Sequence, residues 1–279
     1  MPHVGVQRVA CPDPYRSAYS GTAEEVAHAC AEDIRSVIRH STPGKVAGFI
    51  AEPIQGVGGA VAYGGNYFGE AYKIVREHGG LCIADEVQTG FGRTGERYWG
   101  FENYDVVPDI VTMAKGLGNG APIAAVSTTR EIAETLAQRI HINTFGGNPV
   151  SMAQGLATLD VIDEEDLQNN AHEMGQLLQS GLLELMEKYP LIGEVRGIGL
   201  MLGVELVRDR STKEPASAET AEFLELCREN QLLLGKGGLF GNVLRIKPPL
   251  CITCADVEYA LHVMDQSFAA LSCGAGRST

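Results

Sequence analysis

An aspartate and a lysine each follow a short apolar run in the middle of the sequence. Asp85 comes directly after residues 81–84, and Lys115 comes just past residues 110–113. Each run is too short and too uniformly apolar for an amphipathic helix, a pattern that is typical of a buried strand. Because open α/β sheets bind ligands at the carboxyl ends of their strands, Asp85 and Lys115 are the first candidates for a functional site.

Two interpretations of this pair are open. A partly desolvated lysine can be neutral and act as a Schiff-base nucleophile, and a buried aspartate can hold the proton on the pyridine nitrogen of pyridoxal phosphate. The alternative is a structural ion pair between Asp85 and Lys115. The glycines that flank both residues favour the cofactor, because they let the backbone approach a flat ligand closely.

Glycine- and proline-containing motifs also occur on both sides of this stretch. The five motifs read AEPIQG at 51–56, DEVQTGFGRTG at 85–95, MAKG at 113–116, NTFGGNP at 143–149 and LRIKPPL at 244–250. In this order they resemble the motifs of the class III pyridoxal-phosphate aminotransferases, and the match is highly specific. Within that class, residues 109–116 and 236–243 are similar to the alanine–glyoxylate aminotransferase 2 type, which is found in mitochondria of animals and plants.

The resemblance implies an α/β fold, that of the fold-type I PLP-dependent transferases. Residues 1–160 are expected to form part of the PLP-binding large domain with its mainly parallel sheet, and residues 161–279 a smaller α+β C-terminal domain. The match begins near residue 3, and the Ser/Gly-rich turn that cradles the cofactor phosphate in the family has no counterpart before Glu52. We therefore expect the chain to correspond to roughly the C-terminal two thirds of a family member.

The family motifs imply a role for each residue at the centre of the site. Lys115 is expected to form the Schiff base and to move the proton between substrate carbon and cofactor. Asp85 is expected to pair with the pyridine nitrogen, Val87 to pack on a face of the ring and Gln88 to hydrogen-bond the phenolic oxygen. Without the resemblance, Val87 and Gln88 would be read as loop residues.

Further roles are expected outside this centre. The resemblance implies that Thr144 reaches the cofactor phosphate of a partner subunit, so that activity requires a homodimer or homotetramer. Arg245 lies inside an apolar strand, where an unpaired guanidinium is costly; it either grips a substrate α-carboxylate in bidentate fashion or pairs with a nearby carboxylate. Glu52, at a strand end, is expected to organise the polar part of the site. Ornithine- and GABA-type relatives carry an acidic residue where this chain has Val57, which favours an α-amino donor.

The leading functional hypothesis is a PLP-dependent transaminase that moves an amino group from alanine to glyoxylate or another 2-oxo acid. A phospho-lyase of the same class, acting on a phosphorylated amino alcohol, is an enzymatic alternative. A chain without catalytic activity, which pairs with a full-length subunit, is an alternative of a different class.

The composition argues against some classes of binding partner and favours a reducing compartment. The net charge of −13 argues against nucleic acid or an anionic membrane as a partner, and no run of 18 apolar residues predicts a membrane span. The seven scattered cysteines fit a reducing compartment, and Cys251 and Cys254, a lone C-x-x-C, are expected to be structural. The family resemblance implies a mitochondrial location, although residues 1–20 have the pattern of neither a presequence nor a signal peptide.

Hydrophobic periodicity and capping residues predict the secondary structure. Thr22, with Glu25 three residues later, predicts a capping box at the start of the first helix. The predicted helices are 22–40, 68–78, 130–139, two or three within 149–189, 217–230 and one that presents Val257, Leu261, Met264, Phe268 and Leu271. The predicted strands are 45–51, 81–84, 110–113, 123–128, 200–207, 232–234 and 243–246.

Overall fold

The computed structural model describes residues 5–274, which divide into two compact units. The first unit contains residues 5–53, Tyr63–Phe91 and Trp99–Val161. The second unit contains Ile54–Ala62, Gly92–Tyr98 and residues 162–274. Two short segments from the first half of the sequence therefore belong to the second unit, whereas the sequence suggested a single boundary between residues 160 and 161.

Helices and strands alternate along the first half of the chain, and the second half is richer in helix. In chain order the elements are α1 (Ala23–Ser41), β1 (Gly48–Ala51), β2 (Ile54–Gln55), β3 (Val61–Ala62), α2 (Tyr67–Glu77), β4 (Leu81–Asp85), β5 (Ile110–Met113), β6 (Ala125–Thr128), α3 (Arg130–Ala137), α4 (Pro149–Glu164), α5 (Leu167–Lys188), β7 (Ile192–Ile198), β8 (Met201–Asp209), β9 (Glu214–Pro215), α6 (Ser217–Glu229), β10 (Gly235–Gly237), β11 (Val243–Ile246) and α7 (Cys254–Gly274).

A four-stranded sheet with the order β1-β4-β5-β6 forms the centre of the first unit. β1, β4 and β5 are parallel, and β6 pairs antiparallel with β5. The mixed α/β fold with a mainly parallel sheet is confirmed. In the register of β4 and β5, Asp85 lies opposite Thr112, so the two strands end close together at the same edge of the sheet.

Helices α1 and α2 pack against each other in the first unit, and α2 also packs on β4. The predicted capping box of α1 is confirmed: the Thr22 hydroxyl accepts from the Glu25 N–H, and the Glu25 carboxylate accepts from the Thr22 N–H. On α2, the predicted apolar face of Ala71, Ile74 and Val75 is buried. These contacts fix the strands that carry the candidate site.

The second unit is built on an antiparallel sheet with the order β10-β11-β8-β7, to which β9 adds at β8. Helices α5 and α6 pack on this sheet, and α7 packs on both of these helices. Their shared core includes the residues predicted for the last helix, of which Val257, Met264, Phe268 and Leu271 are buried. No helix of residues 5–274 combines the length and the apolar character that a membrane span requires.

Several predicted strand positions are wrong. The strand predicted at 232–234 lies instead at Gly235–Gly237, because these residues pair with β11. β7 was not predicted, since its alternating charged and apolar residues include two glycines that weaken the strand pattern. Five of the other predicted elements begin at the observed first residue, namely Leu81, Ile110, Arg130, Ser217 and Val243, and the elements predicted from residues 22, 45, 68, 123 and 200 begin one to three residues away. Between residues 149 and 189 there are two helices: α4 ends at Glu164 and α5 begins at Leu167, with Asp166 between them in the left-handed region at φ 49°.

Candidate functional site

The ends of β4 and β5 bring Asp85 and Lys115 to one edge of the sheet in the first unit. Asp85 is the last residue of β4, and its strand partner is Thr112. The next peptide continues the pairing, because the Glu86 N–H donates to the Thr112 carbonyl over 2.9 Å. Lys115 follows Thr112 by three residues, which at about 3.3 Å per residue spans roughly 10 Å. The sequence-predicted pair is thus carried by neighbouring strands.

The Asp85 carboxylate is half-buried, and one of its oxygens has a local role. Oδ1 accepts from the Val87 N–H over 3.1 Å, which fixes the turn that leaves the strand. Among the described residues, Asp85 forms no ion pair with Lys115, so the structural alternative for this pair is not realised. The other carboxylate oxygen can accept a hydrogen bond from a ligand.

Lys115 adopts a backbone conformation that is uncommon for a residue with a side chain. Its φ is 45°, in the left-handed region, where a Cβ crowds the carbonyl at a cost of about 1 kcal/mol. It opens a short 3₁₀ turn, Lys115–Gly118, in which Leu117 and Gly118 are buried while the lysine side chain is exposed. Such strain is retained where the surroundings enforce it, and it is concentrated at functional sites.

Glu86, to which the sequence assigned no role, is the fully buried carboxylate of this loop. It accepts hydrogen bonds from the Thr89 hydroxyl at 2.6 Å, the Gly100 N–H at 2.9 Å and the Phe101 N–H at 2.8 Å. Burial raises the pKa of Glu86, and these three hydrogen bonds partly oppose the rise. Glu86 therefore connects the loop that follows β4 to the 3₁₀ helix Gly100–Tyr104. The only hint of this role in the sequence is that Glu86 lies next to Asp85 and that Thr89, a possible hydrogen-bond donor, follows three residues later.

Two further predicted residues are brought together in the first unit. Gln88 Nε2 donates to Glu52 Oε2 over 3.2 Å, and both side chains are half-buried. Glu52 follows β1, and β1 pairs with β4. The loops after three successive strands of the sheet, β1, β4 and β5, therefore carry Glu52, the loop 85–88 and Lys115.

Thr144 lies in an exposed turn and forms no hydrogen bond with another predicted site residue in the described part of the chain. The turn is held locally, since Asn143 Oδ1 accepts from the Gly146 N–H over 3.0 Å. Apolar side chains around it are unusually exposed: Ile140 is 95%, Ile142 83% and Phe145 81% exposed.

Arg245 belongs to the second unit, in β11, and it is only half-buried. The backbone of Arg245 lies in an apolar strand as predicted. Because the side chain is only half-buried, the cost of desolvating its guanidinium is smaller than the sequence suggested. Nε donates to the Lys236 carbonyl over 3.1 Å. Within residues 5–274, Arg245 takes part in no ion pair, so the alternative of a structural ion pair is not realised and the terminal guanidinium nitrogens can bind an anion.

These side chains provide the groups that can bind a cofactor with a pyridine ring. Asp85 supplies a carboxylate oxygen at a strand end, Lys115 an exposed amine, and Gln88 an amide held by a carboxylate. In the part of the chain that the structure describes, no three His, Cys, Asp or Glu residues are arranged to hold a metal ion.

Comparison with known proteins extends this description. The family model described as "Aminotransferase class-III" matches residues 2–268. Among curated relatives, alanine–glyoxylate aminotransferase 2 homolog 2, mitochondrial, of Arabidopsis thaliana is 54% identical over 92% of this chain and 53% of its own length. Ethanolamine-phosphate phospho-lyase homolog 1 of Caenorhabditis elegans is 39% identical over 92% of this chain and 58% of its own length.

A solved transaminase structure has a similar fold. The omega transaminase from Pseudomonas jessenii in complex with PMP superposes with a TM-score of 0.93 at 32% identity, over 100% of this chain and 63% of that chain. The chain spans slightly more than half the length of the two curated relatives.

Proposed function

Because this chain belongs to the class III aminotransferases, whose cofactor is pyridoxal 5′-phosphate, we propose that it moves the amino group of an amino acid such as alanine to glyoxylate or another 2-oxo acid. The observation that carries the proposal is the pairing of β4 with β5, which brings the strand ends that bear Asp85 and Lys115 together. The similarity to an alanine–glyoxylate aminotransferase 2 homolog supports this choice of substrates.

The residues of the first unit fit the cofactor. Pyridoxal phosphate supplies an electron sink when it is bound. The second carboxylate oxygen of Asp85 would hold the proton on the pyridine nitrogen, Val87 would pack on the ring, and Gln88, oriented by Glu52, would donate to the phenolic oxygen. Lys115 would hold the cofactor covalently through its amine.

Lys115 is also the proton carrier in this proposal. Once released from the cofactor, its exposed Nζ would act as the base that moves the proton between the substrate Cα and the cofactor. The strained backbone at Lys115 supports this role, because it fixes the point from which the flexible side chain reaches.

We assign the substrate α-carboxylate to Arg245. Its half-buried guanidinium makes one hydrogen bond to a backbone carbonyl and can offer its terminal nitrogens to a carboxylate in bidentate fashion. Val57, at the position of an acidic residue in ornithine- and GABA-type relatives, leaves Arg245 free of competition. This arrangement favours an α-amino acid donor over an ω-amino donor.

Dimerisation and location form part of the same proposal. The exposed apolar residues Ile140, Ile142 and Phe145 support burial of the Thr144 turn against a second subunit, where Thr144 binds the partner's cofactor phosphate. We expect a homodimer or homotetramer by light scattering, and Phe145→Glu is expected to dissociate it. An unchanged mass for Phe145→Glu contradicts the placement of the interface. The name of the plant relative supports a mitochondrial location.

A second candidate activity is elimination from a phosphorylated amino alcohol, which the similarity to an ethanolamine-phosphate phospho-lyase homolog favours. Product analysis separates the two activities. Transfer from alanine gives a keto acid, whereas elimination from ethanolamine phosphate gives ammonia and an aldehyde.

The first experiment is a titration of the purified chain with pyridoxal phosphate, followed by absorption spectroscopy. We expect an imine band that borohydride fixes on Lys115 and that alanine bleaches. Lys115→Ala should lose the band, whereas Lys73→Ala, which removes an exposed lysine of α2, should keep it. A folded chain without an imine band, or a band that persists in Lys115→Ala, refutes the proposal.

A further inference from the structure

Arg245 lies across a short strand, β10, in which a single lysine separates two glycines. We propose that Gly237 is a positioning residue, which keeps the Arg245 guanidinium in the orientation that binds a substrate carboxylate. This proposal deepens the proposed function and depends on the assignment of Arg245 to the carboxylate. Gly237 itself does not contact the substrate in this proposal.

The register of β10 and β11 puts the glycines beside the arginine. Gly235 lies opposite Arg245, and Gly237 lies opposite Val243. Glycines two residues apart in a strand face the same side of the sheet, so the Arg245 side chain can run over both. Its Nε donates to the carbonyl of Lys236, the residue between them, over 3.1 Å.

The space at Gly237 is filled by Arg245. A Cβ at position 237 would lie 2.5 Å from Arg245 Cδ and 2.8 Å from the Val57 carbonyl oxygen, both far closer than van der Waals contact. The Val57 carbonyl cannot retreat freely, because it accepts from the Gly238 N–H over 3.0 Å. A methyl group at 237 must therefore displace the arginine side chain.

Gly235 offers a matched control on the same strand. A Cβ there would lie 3.5 Å from Arg245 Cβ and 3.6 Å from Nη2, at ordinary contact distances, and 3.3 Å from the Arg245 carbonyl. Neither Gly235 nor Gly237 has a positive φ, so alanine adds no backbone strain at either position. The two variants differ chiefly in whether the guanidinium must move.

Displacement of the guanidinium would also remove a hydrogen bond and restore side-chain rotamers. Nε would release the Lys236 carbonyl, and the side chain would regain rotamers that it must give up again when it binds a ligand. Because one hydrogen bond of this kind contributes about 1 kcal/mol, the affinity for a carboxylate should fall roughly fivefold to tenfold in Gly237→Ala. In Gly235→Ala we expect a change within about twofold.

Chemical protection measures this affinity without cofactor or turnover. Phenylglyoxal modifies the terminal guanidinium nitrogens, and mass spectrometry locates the product on Arg245. Propionate is the carboxylate probe, and the concentration that halves the rate of modification is compared among the parent, Gly235→Ala and Gly237→Ala. We expect a fivefold to tenfold higher concentration for Gly237→Ala alone.

The possible failures are distinguishable. If propionate does not protect Arg245 in the parent chain, the assignment of the carboxylate to Arg245 is wrong, and the present proposal falls with it. If propionate protects the parent and Gly237→Ala equally, only the positioning role of Gly237 is wrong.

A second measurement applies if Gly237→Ala does not fold. In the parent chain, the Arg245 Nε–H should exchange with solvent more slowly by nuclear magnetic resonance than that of the exposed Arg130, with Arg245→Lys identifying the signal. Equal exchange rates overturn the proposal.

Discussion

Replacing Glu86 by alanine should destabilise the first unit, because this carboxylate holds the site loop to a distant 3₁₀ helix. Its side chain is 1% exposed and accepts three hydrogen bonds. Two of the donors, the Thr89 hydroxyl and the Gly100 N–H, are themselves buried. Alanine would leave these donors without an acceptor, since no water reaches them readily.

The magnitude follows from the orphaned donors. A buried donor that loses its partner costs about 1–3 kcal/mol, so two such donors cost roughly 2–6 kcal/mol. The Phe101 N–H is half-buried and regains a hydrogen bond to water, and the removal of a desolvated charge returns part of the loss. We therefore expect the free energy of unfolding to fall by about 3 kcal/mol.

Trp99 provides a local probe for the measurement. It is the only tryptophan of the chain, it directly precedes Gly100, and its ring lies 5.1 Å from that of Phe91. Urea unfolding followed by its fluorescence at neutral pH reports on the loop that Glu86 holds. Glu134→Gln, which changes an exposed carboxylate of α3, is the control and should change the free energy by less than about 0.5 kcal/mol. A Glu86→Ala value as small as that of the control would refute the reasoning.

The pH dependence of Glu86→Gln gives an independent check. Because burial raises the pKa of Glu86 above its ordinary value of 4.5, the folded chain holds this proton more tightly than the unfolded chain does. The part of the stability that depends on this bound proton is thus complete below the ordinary pKa and is lost as the pH rises through the raised pKa. The free energy of unfolding of the parent minus that of Glu86→Gln should therefore fall as the pH rises above 4.5. A difference that grows with pH contradicts the argument.

Three further predictions concern both units. Val57→Glu places a carboxylate near Arg245 and should raise the KM for alanine up to about fivefold, while an amine donor without a carboxylate is unaffected; equal effects on both donors contradict it. Arg93→Met leaves two backbone carbonyls of the second unit without their donor and should lower the free energy of unfolding by about 1–3 kcal/mol, with the exposed Arg97→Met as control. Thr22→Ala removes the capping box and should cost about 1 kcal/mol in the same urea assay, whereas Thr22→Ser should cost much less.

The sequence by itself determined the features that depend on neighbouring residues. The capping box of Thr22 and Glu25 needs only a spacing of three, and the strands that end at Asp85 and before Lys115 need only a short apolar run with glycine after it. The five motifs identified the family for the same reason, because each is a contiguous string of residues. Local geometry and local solvation are sufficient for such features.

Only the tertiary structure decided which distant groups meet. Glu86 finds its donors 14 and 15 residues away, and the amide of Gln88 meets Glu52 across 36 residues. The half-burial of Arg245 depends on β10, whose glycines form a strand only because β11 pairs with them. No local pattern encodes such partners, since burial and hydrogen bonding at these positions arise from chain segments that become adjacent only when the chain folds.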